Sequence, residues 1–348
     1  MLKIEHPLYQ EDLEQIASYV NFDKEEISVL VTGASGLIGS LLVDALLHFN
    51  KINEKKVRVY AMSRRLEKLQ QCFSYALDDP YLTLTPQDIT KPLDGSVQYD
   101  YIIHAASNAD PRTYALYPVQ TIQTNILGTT NVLEYARNHA GTRVLFTSTM
   151  EVYGTMPEGT VSKEDQFGLI DFNAVRSGYP ESKRISELLC RSYAVEYDVD
   201  SVVTRLGYIY GPSMTKEDNK VIAQFIRKAM AKEDIVLKSK GDQRRSYCYA
   251  ADTVSGIVCA LFDGNKGEAY NVSNKNSVIS IAEMAQVAAA QAGTSVTFDL
   301  PDELERKGFS KSQDAVLDES KLRALGWEPK YTMAEGMART IAILNAVE

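Results

Sequence analysis

The chain has 348 residues, 45% of them hydrophobic and 24% charged, enough for a full core built as one large domain or two interlocked ones. A net charge of -9 argues against general nucleic-acid binding, while a local basic cradle for an anionic small molecule remains compatible with it. Cys72, Cys190, Cys248 and Cys259 stand far apart, with no CxxC pair and no neighbouring histidine. That spacing gives no zinc site or disulfide framework and suits a reducing cytoplasm.

Residues 1–26 read as an acidic, amphipathic N-terminal extension in which no chemistry is legible. No basic stretch followed by an apolar run opens the chain, so a secretory signal is not expected. No run is long and apolar enough for a bilayer span. SVLVTGASGLIG then reads as a buried strand entering a glycine turn and a helix. After it the β-branched runs KVRVYAM, YLTLT, YDYIIHAA, GTRVLFTST and DVDSVVTRL alternate with helical stretches. That rhythm predicts a parallel, doubly wound α/β sheet of the Rossmann type over residues 27–205.

From about Leu206 the rhythm breaks into Gly/Pro-containing loops, the strands IVLKSKG and GEAYNVSN, and the helices SIAEMAQVAAAQAG and MAEGMARTIAILNAV. Residues 206–348 are expected to form a smaller C-terminal α/β part that holds the substrate, with segments near 245–272 returning to the Rossmann domain. With no repeat and no low-complexity linker, the two parts should share a wide interface.

Gly33, Gly36 and Gly39 fall at the strand-to-helix junction, where glycines permit a tight turn, close approach of a pyrophosphate and close packing of helix on strand. Backbone amides at that helix start face the phosphates. At the end of the second strand, where an NAD site usually carries an acid about 20 residues on, the chain reads Ala61-Met62-Ser63-Arg64-Arg65. Two guanidiniums without a carboxylate favour the 2'-phosphate of NADP over NAD. Tyr179 and Lys183 stand four apart on a helical stretch and so share a face. A lysine ammonium beside an oxidised nicotinamide lets such a phenol take an alcohol proton while hydride leaves the same carbon. Thr149, just past the strand GTRVLFTS, sits at the carboxyl edge where ligands bind in open α/β sheets. Two residues on, Glu151 is placed to remove a proton beside a ketone. Taken singly, each signal has a plain counterpart: a tight turn, a solvated helix start, a surface Tyr/Lys pair, a capping glutamate.

Further motifs accompany these: Asp88-Ile89 after the third strand, HAAS at 104–107, Asn125 in TNILGT, STMEVYG at 148–154, YGP at 210–212, GDQRRSYCYAAD at 241–252 and LGWEP at 325–329. Together with TGASGLIG, Tyr179 and Lys183, they make the chain resemble the extended short-chain dehydrogenase/reductases that modify nucleotide sugars, the NAD-dependent epimerases/dehydratases. The resemblance runs from about residue 28 to the C-terminus. It implies a dinucleotide site of Gly33, Ser35, Gly36, Leu37, Ile38, Ser63, Arg64, Asp88, Ile89, His104, Ala105, Ala106, Asn125, Tyr179 and Lys183. It implies substrate contacts from Ser107, Thr149, Arg176, Tyr208 and Arg245, the last on the diphosphate, and no metal. A homodimer through helices near 115–138 and 179–197 is also implied, although apolar residues there could equally be internal core.

Members of the family begin alike, by oxidising the sugar at C4 with bound NAD(P), and then act at C5. Dehydratases of dTDP-glucose carry Asp-Glu where this chain has Met150-Glu151; UDP-glucuronate decarboxylases and GDP-mannose dehydratases carry a serine at the first position. Where the family often has an asparagine stands Tyr208, and where it has an arginine ahead of LGW stands KSQDAVLDESK. The expectation is a nucleotide-sugar enzyme that performs 4,6-dehydration or epimerisation. UDP-glucuronate decarboxylation is one alternative, and NADPH-dependent carbonyl reduction, which has no need of Glu151 or Arg245, is another.

Overall fold

In the apolar run IleSerValLeuVal at 27–31, Val29, Leu30 and Val31 are fully buried, as a strand covered by helices on both faces requires. A computed structural model describes residues 3–215, 218–300 and 314–347. Its elements are α1 (Pro7–Ala17), β1 (Glu26–Thr32), α2 (Leu37–Ile52), β2 (Lys56–Ser63), α3 (Leu66–Cys72), β3 (Leu82–Pro86), β4 (Tyr101–His104), α4 (Pro111–Leu116), α5 (Pro118–Asn138), β5 (Arg143–Thr149), β6 (Val161–Ser162), α6 (Gly178–Glu196) and β7 (Asp200–Leu206). They continue as β8 (Tyr208–Tyr210), α7 (Val221–Met230), β9 (Ile235–Leu237), β10 (Arg244–Tyr249), α8 (Ala250–Asp263), β11 (Ala269–Val272), β12 (Val278–Ser280), α9 (Ile281–Ala292), β13 (Val296–Phe298) and β14 (Val316–Leu317). The short helix Ser320–Arg323 and the helix Met333–Val347 follow.

Seven strands make one sheet in the order β11-β7-β5-β4-β1-β2-β3, every neighbouring pair parallel. The fold is thus the doubly wound α/β type expected. The chain runs outward from β1 to β3 and then crosses back to β4, so the direction of winding reverses between β1 and β4. Ligands bind in the crevice that this reversal opens at the carboxyl ends of the strands. Thr32, His104, Thr149 and Leu206 end four strands along that edge.

Smaller sheets stand above it: β12-β10-β8, β13-β9 and β14-β6. The pairing of β14 with β6 carries the late segment Val316–Leu317 onto the connector that follows β5. Through β11 the chain also returns to the edge of the large sheet, and α8 packs on β5 and β7. The stretch KSQDAVLDESK is described only from Asp314 onward; Lys311, Ser312 and Gln313 lie outside the described residues.

Residues ahead of β1 enter the core. Tyr9, Leu13 and Ile16 of α1 are fully buried where α1 packs against α2 and α8. Asp12, 1% exposed, accepts the Tyr249 hydroxyl at 2.6 Å and Arg339 Nη2 at 2.7 Å. The Tyr9 hydroxyl donates to Asp44 on α2 at 2.5 Å. In LGWEP, Trp327 is fully buried and its indole N–H donates to Ser255 Oγ at 2.9 Å, so that motif belongs to the core. No helix among the described residues is long and apolar enough to cross a membrane.

Candidate active site

The turn after β1 closes only with glycine. Gly33 has φ of +71°, and a Cβ there would stand 2.8 Å from the Ala105 carbonyl oxygen; a Cβ on Gly39 would stand 2.3 Å from that of Gly33. Gly36 caps α2 without any side-chain hydrogen bond, so the first amides of the helix are left to whatever occupies the cleft. Gly33, Gly36, Leu37 and Ile38 line a cleft of about 420 Å³. A floor stripped of Cβ atoms beside an uncapped helix start fits a dinucleotide pyrophosphate.

Around this floor the remaining cofactor candidates divide. Ala105 lines the cleft, whereas Ser35, Ser63, Arg64, Asp88, Ile89, His104, Ala106 and Asn125 stand outside its wall. Ser35 Oγ donates to Ser63 Oγ at 3.1 Å, joining the glycine turn to the end of β2. Arg64 and Arg65 are exposed beside it. The Asp88 carboxylate accepts the Thr90 N–H and hydroxyl, both at 2.9 Å, and the Thr90 N–H holds it below the usual carboxylate range ahead of a smaller pull from Arg64. Ile89 is buried under Gly128. His104 is fully buried with Nδ1 2.9 Å from Thr32 Oγ1; burial pushes it down to about 3, so it is neutral. Thr32 Oγ1 also accepts the Ala106 N–H at 3.1 Å. Ser107 Oγ donates to Asn125 Oδ1 at 2.8 Å, Asn125 Nδ2 to Ser182 Oγ at 2.9 Å, and Ser182 Oγ to the Tyr179 carbonyl at 2.8 Å. This relay ties the loop after β4 to the start of α6.

Tyr179, Lys183, Thr149, Glu151, Ser107, Tyr208 and Arg245 all line the cleft. Thr149 ends β5 and its Oγ1 accepts the Glu151 N–H at 3.3 Å, shaping a 3-10 turn over Met150–Tyr153. Burial raises the Tyr179 phenol, which the Thr149 side chain opposes by a hydrogen bond. Lys183 Nζ donates to the Thr147 carbonyl at 2.8 Å and stands 4.6 Å from the Phe146 ring centroid. Burial pushes Lys183 down to about 7. Glu151 is raised by burial and pulled back by Arg176 and then Arg245. Arg176 lies outside the cleft lining and pairs instead with Glu151, Nη2 to Oε2, at 3.3 Å. The Arg245 guanidinium sits 4.7 Å over the Tyr208 ring, and its buried Nε has no partner among the described residues.

Tyr114, Asn219 and Lys220 also line the cleft, and sequence reasoning missed them. The Tyr114 ring stacks on Tyr179 at 4.9 Å and 13°; its only sequence signal is an aromatic in a short helix capped by Asp110 and opened by Pro111. Lys220 is the N-cap of α7, a cation whose place in the cleft lining no local pattern encodes. Met150, 8% exposed, packs with Val152, Tyr153 and Leu317 while also facing the cleft. Glu151 is thereby the sole carboxylic acid among the described lining residues.

Against known proteins, residues 29–273 match the model of the NAD dependent epimerase/dehydratase family. The chain is 32% identical to UDP-glucuronic acid decarboxylase 3 of Arabidopsis thaliana over 91% of its own length and 88% of that protein's. Its fold is similar to that of a dTDP-glucose 4,6-dehydratase from Bacillus anthracis in complex with NAD, at a TM-score of 0.76 and 20% identity over 92% of this chain and 97% of the other. It is similar also to a UDP-glucuronic acid 4-epimerase from Bacillus cereus in complex with UDP-glucuronic acid and NAD, at 0.77 and 23% over 92% and 100%. The chain belongs to the NAD dependent epimerase/dehydratase family.

Proposed function

We propose that this protein modifies a nucleotide-diphosphate sugar, oxidising it at C4 with a retained dinucleotide and then acting at C5. What carries the reading is the convergence of Thr149, Glu151, Tyr179 and Lys183 on the cleft whose floor is the glycine turn. NAD(P), when bound, supplies the acceptor for the C4 hydride. Tyr179 takes the C4 hydroxyl proton, Lys183 provides positive charge behind it, and Thr149 orients the same oxygen. The C4 ketone acidifies C5, and Glu151 removes that proton. With Met150 filling the position next to it, no second carboxyl group among the described lining residues stands ready to protonate a departing C6 hydroxyl, so return of the proton to C5, completed by return of the hydride to C4, is favoured over 4,6-dehydration as a redox-neutral epimerisation. Arg245, with Ser107 and Tyr208, holds the diphosphate end and sugar.

Decarboxylation is the second reading. It is supported by the relative of 32% identity and by Arg176 beside Glu151, where a guanidinium would steady a substrate carboxylate. A carbonyl reductase would leave Glu151 and Arg245 without work. The exposed Arg64 and Arg65 favour NADP over NAD. Exposed Leu127, Ile185, Leu188 and Val195 on α5 and α6 support a homodimer through those helices, and reduced cysteines support a cytoplasmic protein. We take residues 27–205 as the dinucleotide part, 206–348 as mainly the substrate part, and 1–26 as the extension. Incubating purified protein with UDP-, dTDP-, GDP- and CDP-sugars and weighing the products separates the reactions: an isomer of unchanged mass is expected. Loss of water or of carbon dioxide would replace epimerisation, and no turnover of any sugar nucleotide would end the reading.

A further inference from the structure

Beyond the cleft, α6 carries a second charged group one turn after Lys183. Glu187 pairs with Arg205 of β7, Oε2 to Nη2 at 2.8 Å, with side chains only 12% and 14% exposed. Desolvating such a pair is costly unless the remaining hydrogen-bonding sites are met, and here most of them are. Arg205 Nε donates to both Glu187 oxygens, at 3.2 and 3.0 Å, and Nη1 donates to the Tyr153 hydroxyl at 3.0 Å and the Glu164 carbonyl at 2.9 Å. Ser148 Oγ donates to Glu187 Oε1. Neither Glu187 nor Arg205 lines the cleft; both line a separate cavity of about 640 Å³.

The position of this network is informative. Ser148 lies between Thr147, whose carbonyl takes Lys183 Nζ, and Thr149, which hydrogen-bonds Tyr179. Arg205 is the register partner of Ser148 on β7, and Tyr153 ends the turn that bears Glu151. One carboxylate therefore joins the helix of the Tyr/Lys pair, the strand of Thr149 and the turn of Glu151. We propose that Glu187 is a positioning residue: through Ser148 and Arg205 it fixes Lys183 against Thr147 and holds the Thr149–Glu151 turn in shape. The inference rests on Lys183 serving hydride transfer as proposed above.

Charge enters as well as geometry. The groups facing Lys183 are neutral His104 from β4, the Thr147 carbonyl and Phe146 ring from β5, and Tyr179, Cys190 and Glu187 from α6. Glu151 acts on Tyr179 from its turn, and Arg205 balances Glu187 from β7. Among these Glu187 is the foremost influence keeping the ammonium protonated against burial. Glu187→Gln keeps the shape and removes the charge.

The test follows the Lys183 side chain by NMR in lysine-labelled protein, its signal assigned by loss in Lys183→Arg, beside pH profiles of kcat and KM for a sugar nucleotide that the parent turns over. In Glu187→Gln the Lys183 titration is expected to move down by about one pH unit or more, and the alkaline limb of kcat to move with it while KM holds. Ser148→Ala, which keeps every charge, is expected to leave the titration in place and lower kcat several-fold. Because Glu187→Gln strands the Arg205 charge, Glu187→Gln/Arg205→Gln is measured in parallel. An unmoved titration in folded Glu187→Gln overturns the proposal, as does full kcat in Ser148→Ala or in the double variant, whose net charge is that of the parent. Unfolding of both Glu187 variants overturns it too, assigning the pair to stability alone. If the parent turns over no sugar nucleotide, the hydride-transfer reading fails, while the NMR titration still tests the link from Glu187 to Lys183.

Discussion

Burial pushes the Glu151 carboxyl above its ordinary value, and Arg176 is the main influence drawing it back, followed by Arg245. A base must be ionised to work, so the C5 step should rise with pH through the raised Glu151 value. Removing Arg176 removes its strongest stabilising charge. In Arg176→Ala the acid limb of the pH–rate profile should move to higher pH, by less than about one unit because the guanidinium is largely solvated. A limb that stays fixed would mean that Glu151 does not set it. Tyr179→Phe removes the proton acceptor and should cost about 10²- to 10⁴-fold in kcat, read in the same assay. The stacked Tyr114 ring should keep the α6 start in place, so the variant should retain the melting temperature of the parent to within a few degrees.

At the level of elements, α1 is pinned by a carboxylate under tension between burial and pairing. Burial raises Asp12 to about 6, against opposing influences from Tyr249 and Arg339. A carboxyl group raised on folding binds its proton more tightly in the native state. Its contribution is therefore fully present below the unfolded value near 3.8 and is lost as pH climbs through about 6. The stability of the parent relative to Asp12→Asn should accordingly fall between those pH values, by at most ~3 kcal/mol, as measured by denaturant unfolding at each pH. A difference independent of pH would show that Asp12 has the same proton affinity in both states.

The strands of the large sheet were legible because burial on both faces writes itself as unbroken apolar runs, as in Val29–Val31. The role of α1 was not: its buried Tyr9, Leu13 and Ile16 sit among acidic residues, and the partners that cover them, on α2 and α8, come from distant parts of the chain. The glycine turn was legible because its pattern is local, whereas Tyr179 and Lys183, a common pair by themselves, drew their meaning from the accompanying motifs; all three line the cleft. Tyr114 and the Glu187–Arg205 pair were not, since each takes its meaning from a partner on another element that no spacing announces.

For the whole molecule, α5 and α6 pack together and leave Leu127 45%, Ile185 42%, Leu188 58% and Val195 85% exposed. Exposed apolar side chains on two packed helices fit a self-complementary two-fold contact. Leu188→Lys should convert a dimer into a monomer in sedimentation velocity, with the near-UV spectrum of the fold retained. A parent protein that sediments as a monomer at micromolar concentration would remove the dimer from the proposal. The same α6 carries Tyr179 and Lys183 on its cleft side, so loss of the contact should lower activity and stability together.

The bond between Asp12 and Arg339 spans 327 residues, and this has a bearing on biosynthesis. A ribosome releases Asp12 early, yet the guanidinium that neutralises it emerges only after the entire sheet. Until then α1 has its apolar face to bury and a carboxylate without the Arg339 cation beside it, so its docking onto α2 and α8 should come late, locked by the helix Met333–Val347. Nascent chains halted before Arg339 should expose α1 to proteases while the central strands are already protected.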